Sequence, residues 1–141
     1  MTGRDRAGHA GRTSVVACLT TSAAVAVQYL PEGKRDGEFG DGGLARVAAP
    51  TSKGHGVAVD TAGNVVVAGT AAIPTAGSGV LLARLLPGGL PDQGFGTDGL
   101  VLTEVGEAES GNAVAIAPDG KIVIAGLTSD SRGDRVLTAR F

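Results

Sequence analysis

What most constrains this chain is that part of it is written twice. Segment 30–44 (LPEGKRDGEFGDGGL) lies over segment 86–100 (LPGGLPDQGFGTDGL) with eight of fifteen positions identical: Leu30/Leu86, Pro31/Pro87, Gly33/Gly89, Asp36/Asp92, Phe39/Phe95, Gly40/Gly96, Gly43/Gly99 and Leu44/Leu100. Further on, 57–69 lies over 114–126 and 81–85 over 137–141, so the offset runs 56, 57, 56. Tandem self-similarity of this kind marks a repeat architecture, in which one unit cannot bury its own apolar face and neighbours must stack to make a core.

Each unit reads as four short strands. The first covers 44–48 and 100–103, and the second 56–60 and 113–117. The third, 64–70 and 121–127, is a continuous β-branched run, which predicts burial on both faces. The fourth covers 80–85 and 135–141. Between the second and third strands stand Thr61-Ala62-Gly63-Asn64 and Pro118-Asp119-Gly120-Lys121. Proline followed by Asp-Gly between apolar runs is a hairpin signal, because proline presets the entry and glycine supplies the positive φ of a tight turn. Composition agrees with an all-β, turn-rich chain. Glycine supplies 24 of 141 residues, tryptophan is absent and only Tyr29, Phe39, Phe95 and Phe141 are aromatic. With 43% hydrophobic residues the chain is too apolar for a disordered tail.

Four strands per unit, in tandem, predict blades of β-propeller type. The same residues resemble the delta-60 repeat, a bacterial propeller-type repeat of pattern A-R-x-D-G-x-L-D-x-x-F-G-x-x-G followed by A-x-A-x-x-x-D-G-K-I-x-V-A-G. The likeness is carried by Ala83-Arg84, Gly88, Leu90, Asp92, Phe95-Gly96 and Gly99. It continues through Ala113, Ala115, Asp119-Gly120-Lys121-Ile122 and Ala125-Gly126. It covers nearly everything from Ser14 to Phe141. The first unit departs from the pattern, with Lys34-Arg35 for Leu-Pro and Ala62-Gly63-Asn64 for Asp-Gly-Lys. The resemblance implies a fold and often a secreted or cell-surface setting; it implies no reaction.

The repeat also reaches backwards. Ser14-Val-Val-Ala-Cys18 matches the end of the third strand, so Cys18 stands at the position of Gly69 and Gly126, and 25–31 matches 81–87. The expected organisation is therefore a polar tail at 1–13, a half blade at 14–30, one repeat at 31–85 and a second at 86–141. A competing reading makes Val15-Val16-Ala17-Cys18 a lipoprotein cleavage box after Arg4, Arg6 and Arg12. The apolar run before Cys18 falls short of the 7–15 residues a signal peptide needs, and a strand accounts for the match to the repeat. Closed propellers need four to eight blades, or roughly 220 to 450 residues at this repeat length. About two and a half blades make an incomplete ring, expected of a fragment of a longer propeller or of a chain that assembles with other repeats.

Candidate chemistry is thin. Gly94-Phe-Gly-Thr-Asp-Gly99 fits G-x-G-x-x-G, but a dinucleotide site needs a helix after it and a strand is expected here. Asp41, Asp98 and Asp119 sit beside glycines without the ligand spacing of a calcium loop and read as side chains that stabilise turns, and one cysteine with two histidines makes no zinc pattern. His55 departs from the repeat, its counterpart being Gly111 or Asn112, and His9 lies in the tail. Cys18 reads as a small buried hydrophobe. Glu104, Glu107 and Glu109 form an acidic loop read as solvated surface. No catalytic, cofactor or metal residue is assigned.

A net charge of −2 with mixed signs argues against nucleic acid and anionic membranes, and no apolar run reaches the length of a spanning helix. The sequence thus predicts a non-catalytic structural or interaction module, with an unidentified protein or glycan as partner. The alternative is part of a propeller lyase or hydrolase whose catalytic residues lie on other blades.

Overall fold

The computed structural model describes residues 14–19, 23–49, 51–75, 77–104 and 108–141, with backbone alone for the first of these. They form ten strands and no helix. The strands are β1 Ser14–Leu19, β2 Ala24–Tyr29, β3 Leu44–Arg46, β4 Ser52–Val59, β5 Val65–Ile73, β6 Gly77–Leu85, β7 Leu100–Thr103, β8 Ala108–Ile116, β9 Ile122–Asp130 and β10 Gly133–Arg140. Each strand pairs antiparallel with its chain neighbour in three meanders, β1-β2-β3, β4-β5-β6-β7 and β8-β9-β10. The molecule is an open array of β-propeller-type blades. Aligned by repeat position, the middle blade carries all four strands. Among the described residues, the first blade lacks the counterpart of β4 and the third lacks the counterpart of β7.

The strand after Phe-Gly-x-x-Gly closes the sheet before it. Leu100–Thr103 pairs with Val80–Ala83, and Arg84 donates its N–H to the Gly99 carbonyl at 2.9 Å. The connection 86–99 is therefore a wide loop that folds back along the outer edge of β6. The sheets change between Arg46 and Ser52 and between Thr103 and Ala108, so the most regular sequence motif lies inside a sheet rather than between two.

Several observed strands outrun the expected ones, whereas β3 stops at Arg46, short of the expected 44–48. The second strand of each unit begins at Ser52 and Ala108, because Gly54-His55-Gly56 and Gly111-Asn112-Ala113 continue the pairing through a bulge instead of ending it. Gly54 pairs with Gly69 and Gly111 with Gly126, which makes Asn112 the counterpart of His55. One of the two offset changes lies in the hairpin that pairs Ile73 with Gly77 in the middle blade but Asp130 with Gly133 in the third, where it is one residue shorter.

The blades stack through two apolar layers. Between the first and second lie Ala24, Ala26, Phe39, Val65, Val67, Leu81 and Leu85. Between the second and third lie Val66, Ala68, Val80, Leu82, Ile122, Ile124 and Leu137. Val65–Val67 alternate between these layers and are all buried, as a continuous β-branched run predicts. Their counterpart Val123, on the outer face of the third blade, is only half-buried. The hairpin signal also holds: Gly120 has φ +82°, and Ala117 donates to the Lys121 carbonyl at 2.8 Å.

Candidate functional site

Polar chemistry is concentrated in a recurrent aspartate latch. At Asp92, Oδ1 accepts the N–H of Gly94 at 3.0 Å and Oδ2 accepts Arg84 Nε at 2.7 Å. At Asp36, Oδ1 accepts the N–H of Glu38 at 3.1 Å and Oδ2 accepts Gln28 Nε2 at 2.7 Å. Asp60 follows the same rule with Ala62 N–H and Asn64 Nδ2, Asp119 with Lys121 N–H and the Arg140 guanidinium, and Asp130 with Arg132 N–H and Arg135. One oxygen fixes the turn two residues on, as an Asx turn does, and the other ties that turn to a second side chain. Both oxygens are engaged in holding loops.

The latches differ in cover. Gln28 and Asp36 are buried, 0% and 2% exposed, whereas the side chains of Arg84 and Asp92 keep partial contact with solvent. A neutral amide stands where the site is closed and a guanidinium where it is open, which agrees with the cost of burying a cation. Arg84 also lies over the Phe95 ring, 4.5 Å from its centroid, in a cation–π contact. The carboxyl of Asp92 titrates below its ordinary value, first because of the Gly94 N–H and then because of Arg84, with desolvation opposing both.

A depressed folded-state value means that the native state holds the proton less tightly than the unfolded chain. The stability it contributes is complete at neutral pH and is lost as pH falls through the acid range to that lowered value. The Asp92→Asn variant should therefore lose stability at neutral pH and lose part of the wild-type acid dependence. Melting temperatures measured from pH 7 downward check this, and an unchanged slope in the variant would count against the latch.

The candidates singled out in the sequence do not converge. His55 is the exposed bulge residue of β4. Cys18 pairs opposite Val25 on β1, while its side chain, like His9 and Glu107, lies outside the described residues. Asp41 and Asp98 occupy the turns before β3 and β7, Asp98 with φ +52°. Gly94–Gly99 runs directly into strand β7. Among the described residues no three His, Cys, Asp or Glu side chains gather as metal ligands. None of these residues forms a helix long and apolar enough to cross a membrane, which leaves β-barrels unaddressed.

One expectation is corrected. Glu104 is exposed as an acidic surface loop requires, but Glu109 is buried, 3% exposed. It lies on β8 at the repeat position of Ser52, which bonds across to the first blade by accepting the Ala24 N–H at 2.9 Å. Glu109 also bonds to the preceding blade but through its main chain, its N–H donating to Ser78 Oγ at 3.3 Å. It lines a cleft of about 280 Å³ with Thr70, Ser78, Ser110, Leu127 and Ser129. Asp119 holds a turn as the sequence predicts, but the second arm of the latch and its recurrence at Asp36 and Asp92 were missed, although Asp36/Asp92 and Arg84/Arg140 recur at fixed positions and could have flagged it.

Successive connections also touch. Gly40 donates its N–H to the Gly88 carbonyl at 2.8 Å, and a Cβ on Gly89 would come within 2.6 Å of the Gly40 nitrogen. Connection 86–99 thus lies on the Phe39-Gly40 turn of the connection before it. Residues 117–141, which hold the β9–β10 hairpin and the Asp119–Arg140 latch, match the family described as a domain of unknown function (DUF5122) β-propeller. That match fits a β-propeller-type repeat. No curated protein matches the chain.

Proposed function

We propose that the chain is a non-catalytic interaction module of propeller repeats, a segment of a larger blade assembly that presents its hairpin loops to a protein or glycan. The observation that carries this reading is the latch. The carboxylates of Asp36, Asp60, Asp92, Asp119 and Asp130 all serve loop backbone and a neighbouring side chain, which makes rigid loops rather than poised acids and bases. In this reading 31–85 and 86–141 are the units of repetition, each lending its first strand to the preceding sheet.

The test sets binding against turnover. The chain is screened on a glycan array, and in parallel with uronate polymers, aryl glycosides and aryl esters as lyase and hydrolase probes. The module reading expects saturable binding to one glycan class, or to none if the partner is a protein, with no turnover. Turnover above buffer that disappears in His55→Ala would overturn it.

A further inference from the structure

Four aspartates are followed directly by glycine: Asp36-Gly37, Asp41-Gly42, Asp98-Gly99 and Asp119-Gly120. This dipeptide has a reaction of its own. The glycine amide nitrogen can attack the aspartate Cγ, because a residue without a Cβ neither shields that nitrogen nor resists the backbone rotation that attack requires. Two freedoms are needed: a carboxyl able to swing, and an N–H that no acceptor holds.

Three of the four dipeptides lack at least one of them. At Asp36 both carboxylate oxygens are engaged, by the Glu38 N–H and by Gln28, and the side chain is buried. At Asp119 both are engaged by the Lys121 N–H and Arg140, and Gly120 donates its N–H to the Ala117 carbonyl at 2.8 Å. Gly99 is buried and donates to the Phe95 carbonyl at 2.9 Å, and a Cβ on it would stand 3.1 Å from the Arg84 carbonyl oxygen. Asp41-Gly42 differs in each respect. Among the described residues the Asp41 carboxylate accepts no hydrogen bond and the Gly42 N–H meets no acceptor. Both residues are exposed, and a Cβ on Gly42 would meet nothing within 4 Å.

The difference comes from a one-residue shift within the repeat. Asp41–Leu44 and Thr97–Leu100 are the same turn, with positive φ at both central residues. It is closed by Leu44 N–H on the Asp41 carbonyl at 3.2 Å and by Leu100 N–H on the Thr97 carbonyl at 3.0 Å. The N–H of the second central residue is taken by the Phe39 or Phe95 carbonyl, both at 2.9 Å, whereas that of the first is left to solvent. Asp-Gly-Gly therefore sets the susceptible nitrogen at the open position, and Thr-Asp-Gly sets it at the bonded one. Neighbouring connections do not cover this turn. Residues 41–42 are exposed with connection 86–99 seated on the one side, and residues 97–98 are exposed with the Phe39-Gly40 turn seated on the other.

We propose that Asp41-Gly42 is a site of spontaneous isoaspartate formation, singled out from the other Asp-Gly pairs by the fold. The Gly42 nitrogen bonds to Asp41 Cγ, and the carboxyl hydroxyl leaves with the amide proton as water. Water then opens the five-membered imide. Breaking the Cγ–N bond restores aspartate, whereas breaking the bond from the nitrogen to the main-chain carbonyl leaves the chain running through Cγ and a carboxylate on Cα. Water is the sole co-reactant, and no electrons change hands. The product adds one methylene carbon to the backbone of the turn that follows Phe39-Gly40, and it is the substrate class of enzymes that methylate isoaspartyl carboxylates. This inference is independent of the module reading.

The whole chain is incubated at neutral pH, folded in buffer and unfolded in urea. Isoaspartate is located by peptide mapping with electron-transfer fragmentation and quantified by enzymatic methyl transfer from S-adenosylmethionine. In the folded chain it should accumulate at 41 about tenfold faster or more than at 36, 98 or 119, where attack waits for a hydrogen bond to open. In urea the four rates should converge. Two double variants exchange the turns using residues the turn already carries at those positions. Asp41→Thr with Gly42→Asp should slow the reaction in the first connection to the rate at Asp98, and Thr97→Asp with Asp98→Gly should create a fast site in the second. Absence of isoaspartate at 41 in the folded chain, equal accumulation at 41 and 98, or exchanged turns that leave the rates unchanged would overturn the proposal.

Discussion

Gly69→Ala and Gly126→Ala should each unfold the blade that carries them, with a loss of about 3 kcal/mol or more. A Cβ at Gly69 would stand 1.9 Å from the Lys53 carbonyl oxygen, and one at Gly126 would stand 1.8 Å from that of Ser110. Both clashes are with backbone, at the bulges where β4 pairs with β5 and β8 with β9, so no side chain can swing aside. Relief requires giving up the bulge or the pairing of β4 with β5, or of β8 with β9. For a domain whose whole stability is about 5–15 kcal/mol, one such change removes a large part of it.

The same geometry explains Cys18. It stands at the repeat position of these glycines, yet among the described residues no strand pairs with β1 on the side where β4 pairs with β5 and β8 with β9. Cys18→Gly should therefore cost about 1 kcal/mol or less, mostly through added freedom of the unfolded chain. Urea unfolding of the three variants checks the contrast. Equal effects at 18, 69 and 126 would refute the explanation.

Phe39→Ala should cost about 3–5 kcal/mol, and Phe95→Ala roughly half as much, although the two residues share one repeat position. Phe39 is buried between the first two blades beside the Gly88-Gly89 turn, and its removal leaves a cavity in that apolar layer. Phe95 lies at the margin of the second apolar layer beneath the Arg84 guanidinium and is already partly wet. Urea midpoints for the two variants make the comparison. Equal losses would mean that connection 86–99 does not cover Phe39 more than solvent covers Phe95.

Much of the architecture was legible because the fold is built by repetition. The eight identities between 30–44 and 86–100 located the connections, and the β-branched runs at 65–67 and 122–124 located the strands buried in the stack. Strand limits were less legible, since glycines at 54, 56 and 111 look like breaks to a reader of propensity, whereas they serve a bulge inside a continuous strand. Sheet membership of 100–103 was hidden as well. Nothing local says whether a strand after a long loop joins the sheet before it or the sheet after it; that is decided by the bonds of Arg84 to Gly99 and Asp92.

Burial of Glu109 could not be read from a run of acidic residues, because it follows from a register that places this position against the neighbouring blade. The latch shows the opposite case. Its members recur visibly in the sequence, but Arg84 and Asp92 look like scattered surface charges until the connection folds back and brings them to 2.7 Å.

The central claim is that the chain is a stack of equivalent blades, of which the middle one has four strands and the third, among the described residues, has an open outer edge. Residue-resolved hydrogen exchange on β6 and β10 tests it most directly, because the two strands occupy one repeat position, and β6 is paired with β7 and packed against β8 where, among the described residues, β10 has neither neighbour. The account predicts slow exchange at the outward amides of Val80, Leu82 and Arg84, and exchange roughly a hundredfold faster or more at Val136, Thr138 and Arg140. Equal protection along both strands would contradict it.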